Sequence, residues 1–327
     1  IMKRLQREVR LQRCTMFDFY PYCGTVDPMG DSEVFNKFSG YYMEQYTPTK
    51  SINVEDTLLF TYFTTVFGWK RNQPSERSEE IFNRVAFWLQ FPRIRTHKLY
   101  CFCSKLQGTG KSFFYEVMKA VFGREFTTFH LDLDTYLGNF NISNSGMLVQ
   151  LIDDLSGAKK QTRKLFSRIT AGEQFYEAKY LDKIKMSEFS EIIVTGNDDS
   201  CSFHVTCEDR RILIWNVCPD LKPDYKFWAG LAESLQNLDV VHAWYTFFKT
   251  RDLSEFNYKD VPDCLDANKI NAILTQRPKS HEFLDMYFTS VTFLEDFHDN
   301  WNEEWYSNMM VLEMPKGCRP AERFSQI

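Results

Sequence analysis

A membrane-spanning run is missing from this 327-residue sequence: no apolar stretch approaches the roughly 20 residues such a helix needs, and no signal peptide opens the chain. Its nine cysteines include no Cys-x-x-Cys pair and its six histidines fall at no metal-ligand spacing, which argues against a zinc module. An odd, irregularly spaced set of cysteines in a chain this long fits reduced, mostly buried thiols and an intracellular compartment rather than a disulfide framework. Positive charge is not in excess either. Lys and Arg number 39 against 44 Asp and Glu, a net charge of -5, so any grip on nucleic acid has to come from local patches. Two such patches exist: Lys3, Arg4, Arg7, Arg10 and Arg13 near the start, and eight Lys/Arg against three acids over residues 158–185. The first residue is Ile rather than Met, as expected of a piece of a longer polypeptide.

What the chain does have is aromatic residues, 16% of the total with 30 Phe, enough to build cores along its length. It also has one stretch that breaks from an apolar run into a glycine-rich turn and then an amphipathic segment, Leu99 to Phe114. This reads as strand, phosphate loop and helix. The P-loop template Gly-x-x-x-x-Gly-Lys-Ser/Thr is met from Lys105 to Ser112 except that Lys105 replaces the first glycine. Gln107, Gly108, Thr109 and Gly110 would line the loop with backbone N–H groups. Lys111 would reach the β/γ-phosphates of a nucleotide such as ATP, and Ser112 would place a hydroxyl on Mg²⁺.

Downstream, Met147 to Ile152 is a near-continuous apolar run ending in Asp153 and Asp154, the signature of a strand buried on both faces whose C-terminal acids face the nucleotide crevice. Asp153 suits Mg²⁺ and Asp154 the attacking water; the plain alternative is a strand-to-turn junction, where Asp is favoured. A basic amphipathic segment follows, then two short strands around a turn bearing Lys179 and Lys183, able to grip a phosphodiester by charge or simply to be solvated. Glu191 to Gly196 is a β-branched strand ending in Asn197, an amide placed to bond a phosphate or water. Arg210 and Arg211 precede another strand; Arg211 is either a finger offered to a neighbouring subunit or half of a salt bridge with Glu208 or Asp209. Residues 54–66 and 78–90 read as helices whose aromatic stripe is packing. Helical patterns also cover 227–238, 242–248, 267–274 and 282–293. Asp132 and Asp134 read as surface or cap carboxylates, and Gly123 as a helix stop.

The ordered set Gln107-Gly-Thr-Gly-Lys-Ser112, Leu151-Ile-Asp-Asp154, Glu177-Ala-Lys179-Tyr, Ile193-Val-Thr-Gly-Asn197 and Arg211 resembles the superfamily 3 helicases of viruses, phages and mobile elements. It is most similar to the helicase half of poxvirus-type and phage primase-helicases, over roughly residues 30–290. The resemblance implies an α/β, AAA+-like P-loop core with a central, mostly parallel sheet, divided as 1–42 strand and turn segment, 43–92 helical subdomain, 93–218 ATPase core and 219–327 C-terminal helical domain. It further implies a homo-hexameric ring that hydrolyses ATP with Mg²⁺ at subunit interfaces. Single-stranded nucleic acid, DNA rather than RNA, would thread through it against Lys179 and Lys183, and an upstream primase or polymerase domain is a candidate partner that the sequence itself does not decide. Two other functions share the loop: a P-loop phosphotransferase with a cationic lid in cis, and a non-hydrolysing ATP-binding scaffold, the reading that Lys105 favours.

Overall fold

The computed structural model describes residues 16–22, 34–153, 158–180, 182–197 and 209–275. Its strands in chain order are β1 (Met16–Asp18), β2 (Val34–Asn36), β3 (Leu99–Cys103), β4 (Thr127–His130), β5 (Val149–Ile152), β6 (Glu173–Tyr176), β7 (Ile184–Ser187), β8 (Glu191–Gly196) and β9 (Ile212–Asn216). Five of them form a central, wholly parallel sheet in the order β4-β5-β8-β3-β9. The apolar runs explain why: every residue of β3, β5 and β8 is buried, so these strands need cover on both faces. Side chains alternate accordingly. Tyr100 and Phe102 of β3 enter one hydrophobic cluster, while Leu99, Cys101 and Cys103 enter the other.

The first face is covered by α1 (Leu58–Tyr62), which continues as a π-helical turn over Phe63–Phe67, by α2 (Glu76–Gln90) and by α3 (Phe113–Phe122). The second is covered by α4 (Leu133–Leu137) and α5 (Ala158–Thr170). Ser75 opens α2 by accepting a hydrogen bond from the Ser78 N–H, Asp132 opens α4 by accepting from Thr135 N at 2.6 Å, and Gly123 closes α3. The aromatic stripe of residues 54–66 is core, as its spacing predicts. Phe63 and Phe67 are fully buried, and Phe67 meets Phe102 of the sheet edge-to-face at 4.8 Å between centroids. Three later helices, α6 (Tyr225–Ser234), α7 (Leu238–Thr250) and α8 (Asp263–Thr275), match the helical periodicity; Trp244 of α7 lies 5.3 Å from Phe63, in the same cluster.

The chain divides into two compact units, Ile1–Ile273 and Leu274–Ile327, and the sheet with its flanking helices belongs to the first. The basic cluster at residues 1–13, the helix read at 282–293 and the tail beyond Pro315 lie outside the described residues. Cys101, Cys218 and Cys264 are free thiols, but Cys103 takes part in a disulfide whose partner is outside the described residues, which departs from the reading of reduced thiols throughout. Among the described residues no helix is long and apolar enough to cross a membrane.

Candidate functional site: the crevice at the strand ends

Parallel strands bring their C-terminal ends to one edge of the sheet, and the strand order decides which loops become neighbours. Because β8 lies between β3 and β5, Asn197 at the end of β8 sits between the loop after β3 and Asp153 after β5. Lys111, only 6% exposed, donates from Nζ to the Leu106 carbonyl and to Asn197 Oδ1, both at 3.2 Å. Burial lowers the Lys111 pKa and the Asp153 charge opposes that shift. The result is a poorly hydrated ammonium resting on two neutral acceptors that an anion would displace.

The loop backbone takes the left-handed conformation at Gly108 and Gly110, with φ of 72° and 90°. Gly110 is confined as well: a Cβ there would stand 2.3 Å from Cη2 of Trp228, and the Gly110 carbonyl accepts a hydrogen bond from the Tyr62 hydroxyl at 2.9 Å. Thr109 is 1% exposed and its hydroxyl is buried without a partner, an orphaned donor that a phosphate oxygen would satisfy. Lys105, where the template has its first glycine, is exposed and is not among the residues of positive φ, so its backbone makes no demand for glycine.

Ser112 Oγ donates to Asp153 Oδ1, and the Thr195 hydroxyl lies 2.8 Å from the same carboxylate oxygen and 2.7 Å from the Asp153 carbonyl. Among the described residues no group of three or more His, Cys, Asp or Glu is placed to hold a metal. One hydroxyl and one carboxylate nevertheless fit Mg²⁺, which keeps its waters and takes phosphate oxygens rather than a full protein cage. Asp154 lies outside the described residues.

Gln107 to Phe113, Asp153, Thr195 and Asn197 line a cavity of about 610 Å³ whose opposite wall is Lys222, Tyr225 and Trp228. Sequence reasoning missed this wall. Trp228 is fixed by donating Nε1 to the Leu221 carbonyl at 2.8 Å and by edge contact with Tyr62, while Tyr225 is 85% exposed at the cavity mouth. The signal was slight: an aromatic pair three residues apart at the start of a helix capped by Asp224.

Arg211 is not part of this crevice. It precedes β9, and its carbonyl accepts from Leu99 N at the beginning of β3, so it stands at the opposite end of the strands from Lys111. Both of its expected readings meet an observation there. Arg211 Nε lies 3.2 Å from Asp209 Oδ1, while its guanidinium carbon lies 4.5 Å from the centre of the Phe166 ring; Glu208 is outside the described residues. Around it Arg93, Arg95, His97, Lys98, Arg210 and Lys259 line a cavity of about 900 Å³, facing Asp209. Burial, with Arg84 and Arg210 nearby, pushes Lys98 down to about 8; its ammonium donates to the carbonyls of Arg210 and Lys259, both at 2.6 Å.

The lysine-bearing segment is an antiparallel hairpin of β6 and β7, in keeping with the expected two short strands around a turn. Lys183 is paired with Glu177 at 3.1 Å, whereas the Lys179 ammonium lies over the Tyr180 ring.

A family model described as a family of unknown function, DUF5906, matches residues 102–211, from within β3 to the arginine before β9. No curated protein matches the chain. Two solved structures of the NrS-1 C-terminal region align with it at TM-scores of 0.69 and 0.64, with 14% and 15% identity, each covering 90% of this chain and 70% of the other. A JCV helicase aligns over 74% of this chain and 64% of its own at 11% identity, but with a TM-score of 0.37, at which the overlay says nothing about fold. By its central five-stranded parallel sheet with helices on both faces, the chain is an α/β protein with the fold of the NrS-1 C-terminal region.

Proposed function

We propose that the chain is an ATP-dependent helicase or translocase that acts on single-stranded DNA in the replication of a virus, phage or mobile element, as a homo-hexameric ring. The observation that carries this reading is the separation of Lys111 and Arg211. β3 and β9 are adjacent and parallel, Lys111 follows the end of one, and Arg211 precedes the start of the other. Five residues of strand, roughly 17 Å, lie between the two ends. An arginine so placed cannot reach the phosphates in its own crevice and is available to those of a neighbouring copy.

On this reading each nucleotide is shared by two copies. One supplies the Gln107–Ser112 loop, Lys111 on the outer phosphates, Asn197 beside them, and Asp154 to orient water. The other supplies Arg211 from its basic cavity, where a fixed positive charge is worth several orders of magnitude in phosphoryl-transfer rate. Ser112 and Asp153 would hold Mg²⁺, which would neutralise charge on the β- and γ-phosphates. The phosphotransferase alternative, which needs a cationic lid in cis, has Lys222 as its candidate on the described walls of the crevice, and no arginine there. A primase or polymerase domain upstream would make the chain one part of a replication protein.

The test is subunit complementation. Lys111→Ala and Arg211→Ala should each abolish ATP hydrolysis while Arg211→Ala still binds ATP. Mixed together they should recover activity, because some interfaces then join an intact loop to an intact arginine. A fully active Arg211→Ala, or a mixture no more active than either variant, would overturn the shared site. A folded, assembled chain without ATPase activity, with or without single-stranded DNA, would overturn the motor.

A further inference from the structure

Six cations, Arg93, Arg95, Lys98, Arg210, Arg211 and Lys259, line the cavity of about 900 Å³ beside the starts of β3 and β9. Among its described lining residues Asp209 is the only carboxylate, and it is already held by Arg211 at 3.2 Å. Two of the cations are buried, and both rest on neutral acceptors. Arg95 donates Nε to the Ser190 carbonyl at 2.9 Å and Nη1 to the Ala171 carbonyl at 2.6 Å, and Lys98 spans the Arg210 and Lys259 carbonyls. Carbonyls satisfy these donors without cancelling their charge. Glu191 lies within the field of Arg95, but both of its oxygens accept from Thr96.

Holding segments together does not account for this set. A buried neutral amide could tie the same carbonyls without the cost of desolvating a charge. Arg93, Arg210 and Lys259 are exposed at the cavity and make no ion pair among the described residues. Arg95 Nη2 is buried without a hydrogen-bond partner. The cavity lacks an acceptor of opposite charge, and phosphate oxygens take guanidinium donors two at a time. Its cations come from three segments, 93–98, 209–211 and 258–259, so a chain of linked phosphates reaches more of them than a single phosphate does. It offers a nucleobase no tyrosine face: the Tyr258 ring is stacked on Phe87 at 4.5 Å between centroids, and the Lys259 ammonium lies 5.7 Å from its centre.

We propose that this cavity is a second phosphate site, complete within one protomer, that takes a free inorganic polyphosphate such as diphosphate or tripolyphosphate. Binding needs no neighbour. Its consequence rests on the shared-site reading of Arg211: an anion held in the cavity occupies the guanidinium in cis and withholds it from the neighbouring copy's nucleotide. A loaded cavity therefore slows turnover without emptying the crevice.

Isothermal titration of tripolyphosphate into the full chain, without divalent metal, tests the site, and Lys111→Ala removes the crevice as a competing phosphate site. Lys111→Ala should still bind one tripolyphosphate per chain. Adding Arg93→Ala and Arg210→Ala, which leave the carbonyl acceptors of Lys98 in place, should weaken that binding by roughly 10- to 150-fold, the range for losing one charge-assisted hydrogen bond. No binding to Lys111→Ala, or undiminished binding to the triple variant, overturns the cavity site and leaves the complementation of Lys111→Ala by Arg211→Ala untouched. In the wild-type chain tripolyphosphate should raise the KM for ATP through the crevice and lower kcat through the cavity. With Arg93→Ala and Arg210→Ala alone, the effect on KM should remain and the effect on kcat should be lost. If Lys111→Ala binds tripolyphosphate while kcat of the wild type is unmoved by it, the cavity stands and its hold on Arg211 falls.

Discussion

Trp228 occupies the space that a side chain on Gly110 would need: a Cβ built there stands 2.3 Å from Cη2 and 3.0 Å from Cζ3 of the indole. The helix that follows the sheet is thereby locked to the phosphate loop. Gly110→Ala meets two penalties, the clash and a φ of 90° that an L-residue resists at a cost of about 1–2 kcal/mol. It should weaken nucleotide binding by more than tenfold. In the Gly110→Ala/Trp228→Ala double variant the clash is gone and the backbone cost remains, so isothermal titration should show partial recovery over Gly110→Ala. No recovery would mean that the indole is not what confines the loop.

Asp153 receives hydroxyls from two different elements, Ser112 and Thr195. Asp153→Asn removes the anionic oxygen while keeping the shape, so ATP binding measured without metal should persist and Mg²⁺-dependent turnover should be lost. Thr195→Val removes one orienting hydrogen bond, worth about 1 kcal/mol, and should cost roughly fivefold in kcat. A Thr195→Val chain with unchanged kcat and unchanged Mg²⁺ dependence would show that the hydroxyl does not orient the carboxylate.

Phe166 and Asp209 hold Arg211 from two sides. If the guanidinium acts on a neighbour's nucleotide, Phe166→Leu should lower kcat several-fold, in line with a cation–π contact of about 0.5–2 kcal/mol, and leave the KM for ATP nearly unchanged. Phe166→Tyr should restore the rate. A change in KM alone would place Phe166 in folding or assembly rather than in positioning the arginine.

Glu191 lies fully buried at the start of β8, where Thr96 donates to it from both backbone and hydroxyl, with Arg95 and Arg84 nearby. Burial pushes its carboxyl up from 4.5 to about 7 despite those donors and cations. Between those two values the folded chain keeps a proton that the unfolded chain has released, so this group's contribution to stability falls as pH rises through the window. Thermal melts of the wild type from pH 4.5 to 7 should therefore show a downward component that Glu191→Gln lacks. Parallel pH profiles for the two chains would remove Glu191 as its source.

The strand, loop and helix from Leu99 to Phe122 are legible in the sequence because each is local: a both-faces-buried strand, glycines at the turn, and a helix ended by Gly123. So are the positions of Asp153 and Asn197, since a buried parallel strand announces where it stops. The opposite wall of the crevice is not legible. Lys222, Tyr225 and Trp228 follow the loop by more than a hundred residues and form a wall only because α6 folds back on Tyr62 and Gly110. Periodicity finds such a helix but does not say what it faces. Lys183 shows the reverse case: its charge is visible in the sequence, and its neutralisation by Glu177 depends on hairpin register.

The opposed placement of Lys111 and Arg211 gives the protomer a head and a tail. On the proposed shared site, a twofold dimer would complete both nucleotide sites only where its interface sets the Lys111 end of each copy against the Arg211 end of the other. A heterologous contact between the same two ends would instead close into a ring or run on as a helical filament, according to the rotation at each step.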